Sequence, residues 1–247
     1  MAQGSPDGIL DIAKVWARLL KYGSSTLAGI PARVQRGADL ARIEGLRHEM
    51  AETVRRDPTS AAKYANHRFW IPFNACRIGY LSLHKSRPLR ILDIGCGPGY
   101  FLAASRVCGH ECYGIDAPAG VLTQTEQRVY GELLAALGCN GDVSPLLIER
   151  YVPMSLPQTG YDLISAFWIC FNRHRQPDEW GVEEWRFFLD DALGHLRPGG
   201  TLHLELNANP DRYGNLQFYD QATLDYFRNI GSAERGVVRI RRDAPSR

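Results

Sequence analysis

The sequence predicts an α/β protein, built on a doubly wound, mostly parallel sheet with a helical N-terminal extension. From residue 90 onward, short apolar runs alternate with helical patterns, which is typical of repeated β-α-β units. The first 88 residues show only helical periodicity. The length of 247 residues, with 45% apolar and 23% charged residues, suits a globular chain that buries a large core. We therefore expect an extension over residues 1–88 and a folded domain over residues 89–247.

The extension carries three predicted helices. Apolar residues recur at spacings of three and four from Ile9 to Leu19, and a Gly/Ser/Pro stretch from Gly23 to Pro31 ends that pattern. A second, more polar helix is expected over Ala32–Arg56, followed by a break at Asp57–Ser60. The third is expected over Asn74–His84. The aromatic and polar segment Tyr64–Phe73 of the extension would pack against the sheet edge.

The domain predicts six clear strands and a vestigial seventh, separated by helices. The strands are expected at Arg90–Ile94, Glu111–Asp116, Leu146–Tyr151, Tyr161–Phe167, Thr201–Asn207, Gly231–Glu234 (the vestigial strand) and Gly236–Arg242. The helices are expected at Tyr100–Cys108, Thr123–Leu137, Val182–Leu196 and Gln221–Asn229. Because Trp180, Trp185, Phe187 and Phe188 have helical spacing, they are interpreted as core residues.

Composition and charge argue against several classes of protein. A net charge of +2 is too balanced to indicate a nucleic-acid partner, and no apolar run reaches the ~18 residues of a membrane span. The N-terminus has no secretory signal, and the six cysteines form no C-x-x-C pair. Asp190 and Asp191 are consecutive helix residues facing different ways, so we assign no metal. A cytoplasmic protein is expected.

The most informative stretch is a glycine turn directly after the first strand. Gly95, Gly97 and Gly99 alternate there, so the backbone can turn tightly and a ligand can approach it without meeting a Cβ. Asp116 ends the second strand. It follows Gly97 by 19 residues, close to the separation of ~20 residues expected for a carboxylate that holds ribose hydroxyls. Asp93 precedes the first glycine, where a carboxylate suits a cationic amino-acid group and repels a pyrophosphate. A dinucleotide-dependent oxidoreductase is therefore the weaker alternative. The dinucleotide-binding motif G-x-G-x-x-G would also place its third glycine one position after Gly99.

This stretch, Leu92-Asp-Ile-Gly-Cys-Gly-Pro-Gly99, resembles the first motif of class I S-adenosylmethionine-dependent methyltransferases. The sequence also resembles that family at Gly114–Asp116, at Leu156–Ile164 and at Leu196–Leu202, in the family's order. The resemblance implies the class I fold and S-adenosylmethionine as the cofactor. It also implies that the N-terminal extension acts as a lid over the site, with packing against the sheet edge as the alternative. It implies a cofactor-binding set that comprises Asp93, Gly95, Cys96, Gly97, Gly99, Tyr100, Phe101, Asp116, Ala117, Tyr151, Val152 and Phe167. Within this set, Val152 replaces an adenine-binding Asp of many members, so Tyr151 and Val152 would contact adenine by stacking and backbone contact.

The methyl acceptor is expected beyond the fourth strand, because ligands bind outside the carboxyl ends of parallel strands. His174 is the candidate general base there, and Asn172 is the candidate for orienting the acceptor. A solvated loop histidine and a loop-capping asparagine are the alternatives. We expect an enzyme that methylates an oxygen or nitrogen of a small molecule. The alternative is a non-catalytic S-adenosylmethionine-binding or partner-docking module on the same fold. The sequence does not indicate an oligomeric state.

Overall fold

The computed structural model describes residues 25–169, 179–207, 219–234 and 236–243. Helices lie at α1 (Ser25–Ala28), α2 (Ile30–Gly37), α3 (Leu40–Arg56), α4 (His67–Tyr80), α5 (Tyr100–Arg106), α6 (Gln124–Ala136), α7 (Val182–His195) and α8 (Gln221–Ile230). Strands lie at β1 (Arg90–Ile94), β2 (Glu111–Asp116), β3 (Val143–Pro145), β4 (Tyr161–Phe167), β5 (Leu196–Glu205), β6 (Ser232–Glu234) and β7 (Val237–Arg241). Short 3-10 turns lie at Ala61–Ala65, Leu83–Lys85 and Asn140–Asp142.

The strands form one seven-stranded sheet in the order β3-β2-β1-β4-β5-β7-β6. The pairs β2/β3, β1/β4 and β4/β5 are parallel, whereas β7 runs antiparallel to both β5 and β6. The strand order reverses direction between β1 and β4, which is the switch point where α/β sheets bind their ligands. The predicted doubly wound, mostly parallel sheet is confirmed.

By contacts, the chain divides into two compact units. Of the described residues, the sheet unit comprises those within 89–96, 112–118 and 143–243, and the helical unit comprises those within 25–88, 97–111 and 119–142. The helices α5 and α6 therefore group with the helices that precede residue 88 rather than with the sheet. A functional division into an extension and a methyltransferase domain stays a prediction.

In the sheet unit, one face of the sheet packs against α7 and α8. Leu202 and Leu204 of β5 belong to this core, and neither side chain is accessible to solvent. Trp185 of α7 lies at its centre, with its ring centroid 5.1 Å from Phe227 of α8 and 5.9 Å from Phe188. Trp180, Trp185 and Phe188 are buried, so their interpretation as core residues is confirmed, whereas Phe187 is half-buried and packs against the exposed Tyr151.

In the helical unit, α3 and α6 are joined by polar contacts. The Asp39 side chain accepts the N–H of Arg42 and so caps α3, and the Asp39 N–H donates to the Ala136 carbonyl at 2.8 Å. Arg42 Nε also donates to Glu132 Oε2 at 2.6 Å. The helix α4 contributes a nearly continuous buried segment, from Phe69 to Pro72.

Several predicted elements are displaced. The predicted helix 32–56 is two helices, the predicted helix 74–84 begins at His67, and the predicted third strand 146–151 is replaced by Val143–Pro145. The fifth strand begins at Leu196 instead of Thr201. Leu196 already pairs with Tyr161 of β4, and the register then shifts before Thr201 pairs with Leu163. The strands at 90–94, 111–116 and 161–167 match their predictions, and β6 is as short as expected. The predicted helix at 9–19 lies outside the described residues.

Candidate functional site

The glycine turn after β1 has the backbone that its sequence predicts. Gly95, Gly97 and Gly99 have φ angles of 67°, 51° and 78°, in the left-handed region that L side chains rarely adopt. The turn is anchored to β2, because the N–H groups of Gly95 and Cys96 both donate to the Ile115 carbonyl, at 2.8 and 3.1 Å. A Cβ built on Gly95 would meet no atom within 4 Å. The space beside Gly95 is therefore open to a ligand.

Two carboxylates lie at neighbouring strand ends beside this turn. Asp93 of β1 is 3% exposed, and its Oδ1 accepts the Ser165 hydroxyl of β4 at 2.7 Å. Asp116 is the last residue of β2 and is half-buried, and its Oδ1 accepts the Ala117 N–H at 2.7 Å. Each carboxylate is thus oriented by a hydrogen bond from its own surroundings. Such carboxylates suit an ammonium group and ribose hydroxyls, respectively.

The remaining residues of the turn belong to the helical unit. Tyr100 and Phe101 are each 3% exposed, and the Tyr100 hydroxyl donates to the Tyr64 carbonyl at 2.8 Å. Burial raises the pKa of the Tyr100 phenol far above its ordinary value, so the group remains protonated. A Cβ on Gly99 would lie 2.7 Å from Leu134 Cδ2, so Gly99 is required by packing as well as by its φ angle.

The two candidate adenine residues lie on the surface of the sheet unit. Tyr151 is 54% exposed and Val152 is 51% exposed. Tyr151 has a φ angle of 58° and packs edge-on against Phe187, at 5.7 Å between ring centroids. Their contact with adenine stays a prediction, as do the cofactor roles of the other predicted residues, including Cys96, Ala117 and Phe167.

Both candidate catalytic residues, Asn172 and His174, lie outside the described residues. Within the described ranges, no group of three or more His, Cys, Asp or Glu side chains could hold a metal. Asp191 is the second residue of the adjacent acidic pair in the sequence. Its carboxylate accepts the Met154 N–H at 2.8 Å.

The structure adds a polar cluster that the sequence reasoning did not single out. His203 of β5 is fully buried beside Phe167, with ring centroids 5.7 Å apart. Arg239 of β7 donates from Nε to His203 Nδ1 at 3.2 Å, and His203 Nε2 lies 3.8 Å from Glu205 Oε1. The alternation of polar and apolar residues in Thr-Leu-His-Leu-Glu-Leu206 is the signal that points to it.

A profile of the family described as a methyltransferase domain matches residues 64–234, which is more than half of the chain. The chain belongs to this family. The predicted resemblance to class I methyltransferases is confirmed, and the cofactor is S-adenosylmethionine. The described residues fit this cofactor, because Gly95 leaves open space and two oriented carboxylates flank it.

Among curated proteins, the chain is similar to a tRNA U34 carboxymethyltransferase from Hydrogenovibrio crunogenus, with 31% identity over 142 residues. The match covers 56% of this chain and 37% of the relative, so the chain spans little more than a third of that relative's length.

Two solved structures are also similar. A methyltransferase from Methanococcus maripaludis has 16% identity and a TM-score of 0.45, over 72% of this chain and 86% of its own. An S-adenosylmethionine-bound amino pentose methyltransferase from Micromonospora echinaspora has 19% identity and a TM-score of 0.40, over 64% of this chain and 56% of its own.

Proposed function

We propose that the protein transfers a methyl group from S-adenosylmethionine to a nucleophilic nitrogen or oxygen of a small molecule. The glycine turn between Asp93 and Asp116 is the observation that carries the proposal. When bound, the cofactor supplies an activated methyl group on a sulfonium. The chain itself binds and orients that group, and the acceptor, at one edge of the sheet.

Each proposed contact uses the geometry of one strand end. Asp93 receives the ammonium of the methionine part, because a buried carboxylate gains from a nearby cation. Asp116 accepts the ribose hydroxyls, and its Oδ1 is held in place by the Ala117 N–H. The peptide groups of Gly95 and Cys96 approach the cofactor closely because no Cβ intervenes at Gly95.

Methyl transfer to RNA is the second candidate function. It is supported by the similarity to a tRNA carboxymethyltransferase, although the match covers 37% of that relative. The net charge of +2 favours the small-molecule acceptor, because RNA-binding surfaces carry a marked excess of cations. Within the described residues, no helix is long and apolar enough to cross a membrane. A cytoplasmic location stays a prediction.

Two measurements test the proposal in sequence. Calorimetry of the full chain with S-adenosylmethionine, S-adenosylhomocysteine and NAD is expected to detect binding of the first two only. Methyl-labelled cofactor is then supplied with a desalted small-molecule extract and, separately, with total RNA. Label in the small-molecule fraction supports the proposal, whereas label in RNA supports the second candidate. Tight cofactor binding without transfer to either fraction would support a non-catalytic module.

A further inference from the structure

The chains that leave β1 and β4 diverge at the switch point of the sheet. After β1, the glycine turn donates two N–H groups to the Ile115 carbonyl of β2, at 2.8 and 3.1 Å. After β4, the N–H groups of Trp168 and Ile169 donate to the Glu205 carbonyl of β5, at 2.8 and 3.4 Å. Because β1 and β4 are neighbours in the sheet, a crevice opens between the two chains at its carboxyl edge.

Trp168 is the first residue beyond β4 and borders this crevice. In the register of β1 and β4, Ile94 is the partner of Ala166, so Gly95 of the turn is level with the last residue of β4. Trp168 is therefore one residue farther out than Gly95, on a strand about 4.8 Å away. A tryptophan side chain is long enough to span that separation and reach the open space beside Gly95.

The backbone of Trp168 is strained. Its φ angle is 55°, in the left-handed region that glycine adopts readily and that asparagine and aspartate tolerate. Among the described residues, two other non-glycine residues have a positive φ angle, Ser82 and Tyr151. Glycine at position 168 would adopt this conformation without strain, so the free energy that tryptophan costs here must be offset by contacts of its side chain.

Trp168 differs from its two neighbours, whose side chains are fixed by packing. Ile169 is 3% exposed and belongs to the core with α7 and α8, and the Phe167 ring packs against His203 at 5.7 Å between centroids. Trp168 is only half-buried, and within the part of the chain that the structure describes it does not belong to that core. Part of its surface is therefore available to a ligand in the crevice.

We propose that the Trp168 indole contacts the methionine half of S-adenosylmethionine and closes its site on the β4 side. The proposal rests on the function proposed above, in which Asp93 receives the ammonium and Asp116 the ribose hydroxyls. Asp93 lies on β1 and Asp116 ends β2, so in the sheet order β2-β1-β4 the methionine half is nearer to Trp168 than the ribose. An aromatic face there excludes water from the methylene chain and attracts the positive charge of the sulfonium.

The contact is tested first by fluorine NMR of the full chain labelled with 5-fluorotryptophan. The chain has five tryptophans, and the signal missing from Trp168→Phe identifies Trp168. Saturation with S-adenosylhomocysteine is expected to shift this signal. The signal of Trp185, which is fully buried in the core with α7 and α8 and is assigned in the same way with Trp185→Phe, should stay in place. A Trp168 signal that does not move at saturation overturns the proposal.

Asparagine substitutions at two positions with nearly the same φ angle measure the contribution of the indole. Ser82, exposed on the turn after α4, has a φ angle of 56°, and asparagine tolerates this conformation at both positions. Trp168→Asn is expected to bind S-adenosylhomocysteine at least about fivefold more weakly by calorimetry, through the loss of apolar contact. 5′-Methylthioadenosine, which lacks the amino-acid part, should keep its affinity within about twofold in ligand-observed NMR.

Two further variants serve as controls for the indole contact. Ser82→Asn should leave both affinities unchanged. Trp168→Phe keeps an aromatic ring and should bind S-adenosylhomocysteine within about threefold of the wild-type affinity. An equal loss of S-adenosylhomocysteine and 5′-methylthioadenosine in Trp168→Asn overturns the proposal, because the effect would then not arise at the methionine half. If Trp168→Asn fails to fold, the fluorine shift decides alone.

Other outcomes separate this proposal from the proposed function. If the wild type fails to bind S-adenosylhomocysteine by calorimetry, the methyltransferase proposal fails first. If the wild type binds that ligand but Trp168→Asn binds it as tightly, only the Trp168 contact is refuted.

Discussion

A matched pair of alanine substitutions isolates the cofactor role of the glycine turn. Gly95 and Gly138 have the same φ angle of 67°, and a Cβ on either would meet no atom within 4 Å. Alanine at each position should therefore cost the same backbone strain, about 1–2 kcal/mol of folding free energy. Gly95 lies in the glycine turn after β1, whereas Gly138 follows the carboxyl end of α6.

Only the change at Gly95 is expected to affect the cofactor. Its new methyl group would occupy the open space where we place the ligand, and forcing an extra carbon into a filled contact costs about 1–3 kcal/mol. This corresponds to an affinity loss of about 5- to 150-fold for S-adenosylhomocysteine in Gly95→Ala. Gly138→Ala should bind it with wild-type affinity.

The assay is calorimetric titration, with thermal unfolding measured on the same samples. Similar losses of thermal stability in the two variants would verify the match between them. Wild-type affinity in Gly95→Ala would refute the cofactor cradle, because the added methyl group would then meet no ligand in that space. An equal affinity loss in both variants would assign the effect to strain alone.

Three further outcomes are expected. Asp116→Ala should weaken S-adenosylmethionine binding about 10- to 150-fold, by removing an ionised acceptor from the ribose hydroxyls, and calorimetry of the folded variant measures it. Trp185→Ala should lower the free energy of unfolding by about 3–5 kcal/mol in denaturant titration, because this side chain is fully buried among aromatic rings. Burial lowers the pKa of His67 and His84 below the ordinary 6.5, opposed by Glu44 at His67 and aided by Lys85 at His84. The unfolded chain then binds more protons, so stability falls as pH drops below about 6.5, and replacing both by Gln should shrink the decrease in melting temperature between about pH 7.5 and 5.5.

The strands of the central sheet were predictable because burial on both sides makes them short, continuous apolar runs. The predictions failed where tertiary contacts overrode that local pattern. The segment 146–151, which begins Leu-Leu-Ile, predicted a strand, but Leu147 is 36% exposed, and pairing with β2 ends where the Leu146 N–H donates to the Asp116 carbonyl. The helix predicted from Asn74 begins at His67, and Pro72 lies inside it. Burial of the whole segment from Phe69 to Pro72 compensates the hydrogen bond that proline removes.

The cofactor half of the site was predictable for a different reason. A tight turn with a left-handed backbone favours glycine, so the residue type alone predicts the backbone geometry at Gly95, Gly97 and Gly99. A carboxylate at the end of a strand is equally local, as with Asp116. The polar cluster on β5 is only partly local: the alternation of His203 and Glu205 with leucines is visible in the sequence, but the contact with Arg239 forms only when β7 returns antiparallel.

The strand β5 has one feature that its sequence predicts and another that only the structure shows. Its alternation shows from sequence alone that one face is apolar, since Leu202 and Leu204 are separated by His203. An isolated two-sided strand would place His203 and Glu205 in solvent, and His203 is instead fully buried. The buried ring is ordered by β7, because its Nδ1 accepts a hydrogen bond from Arg239 Nε at 3.2 Å. An aliphatic residue at position 203 would remove the acceptor of the Arg239 Nε hydrogen bond, and the loss of one partner of a buried polar pair costs free energy.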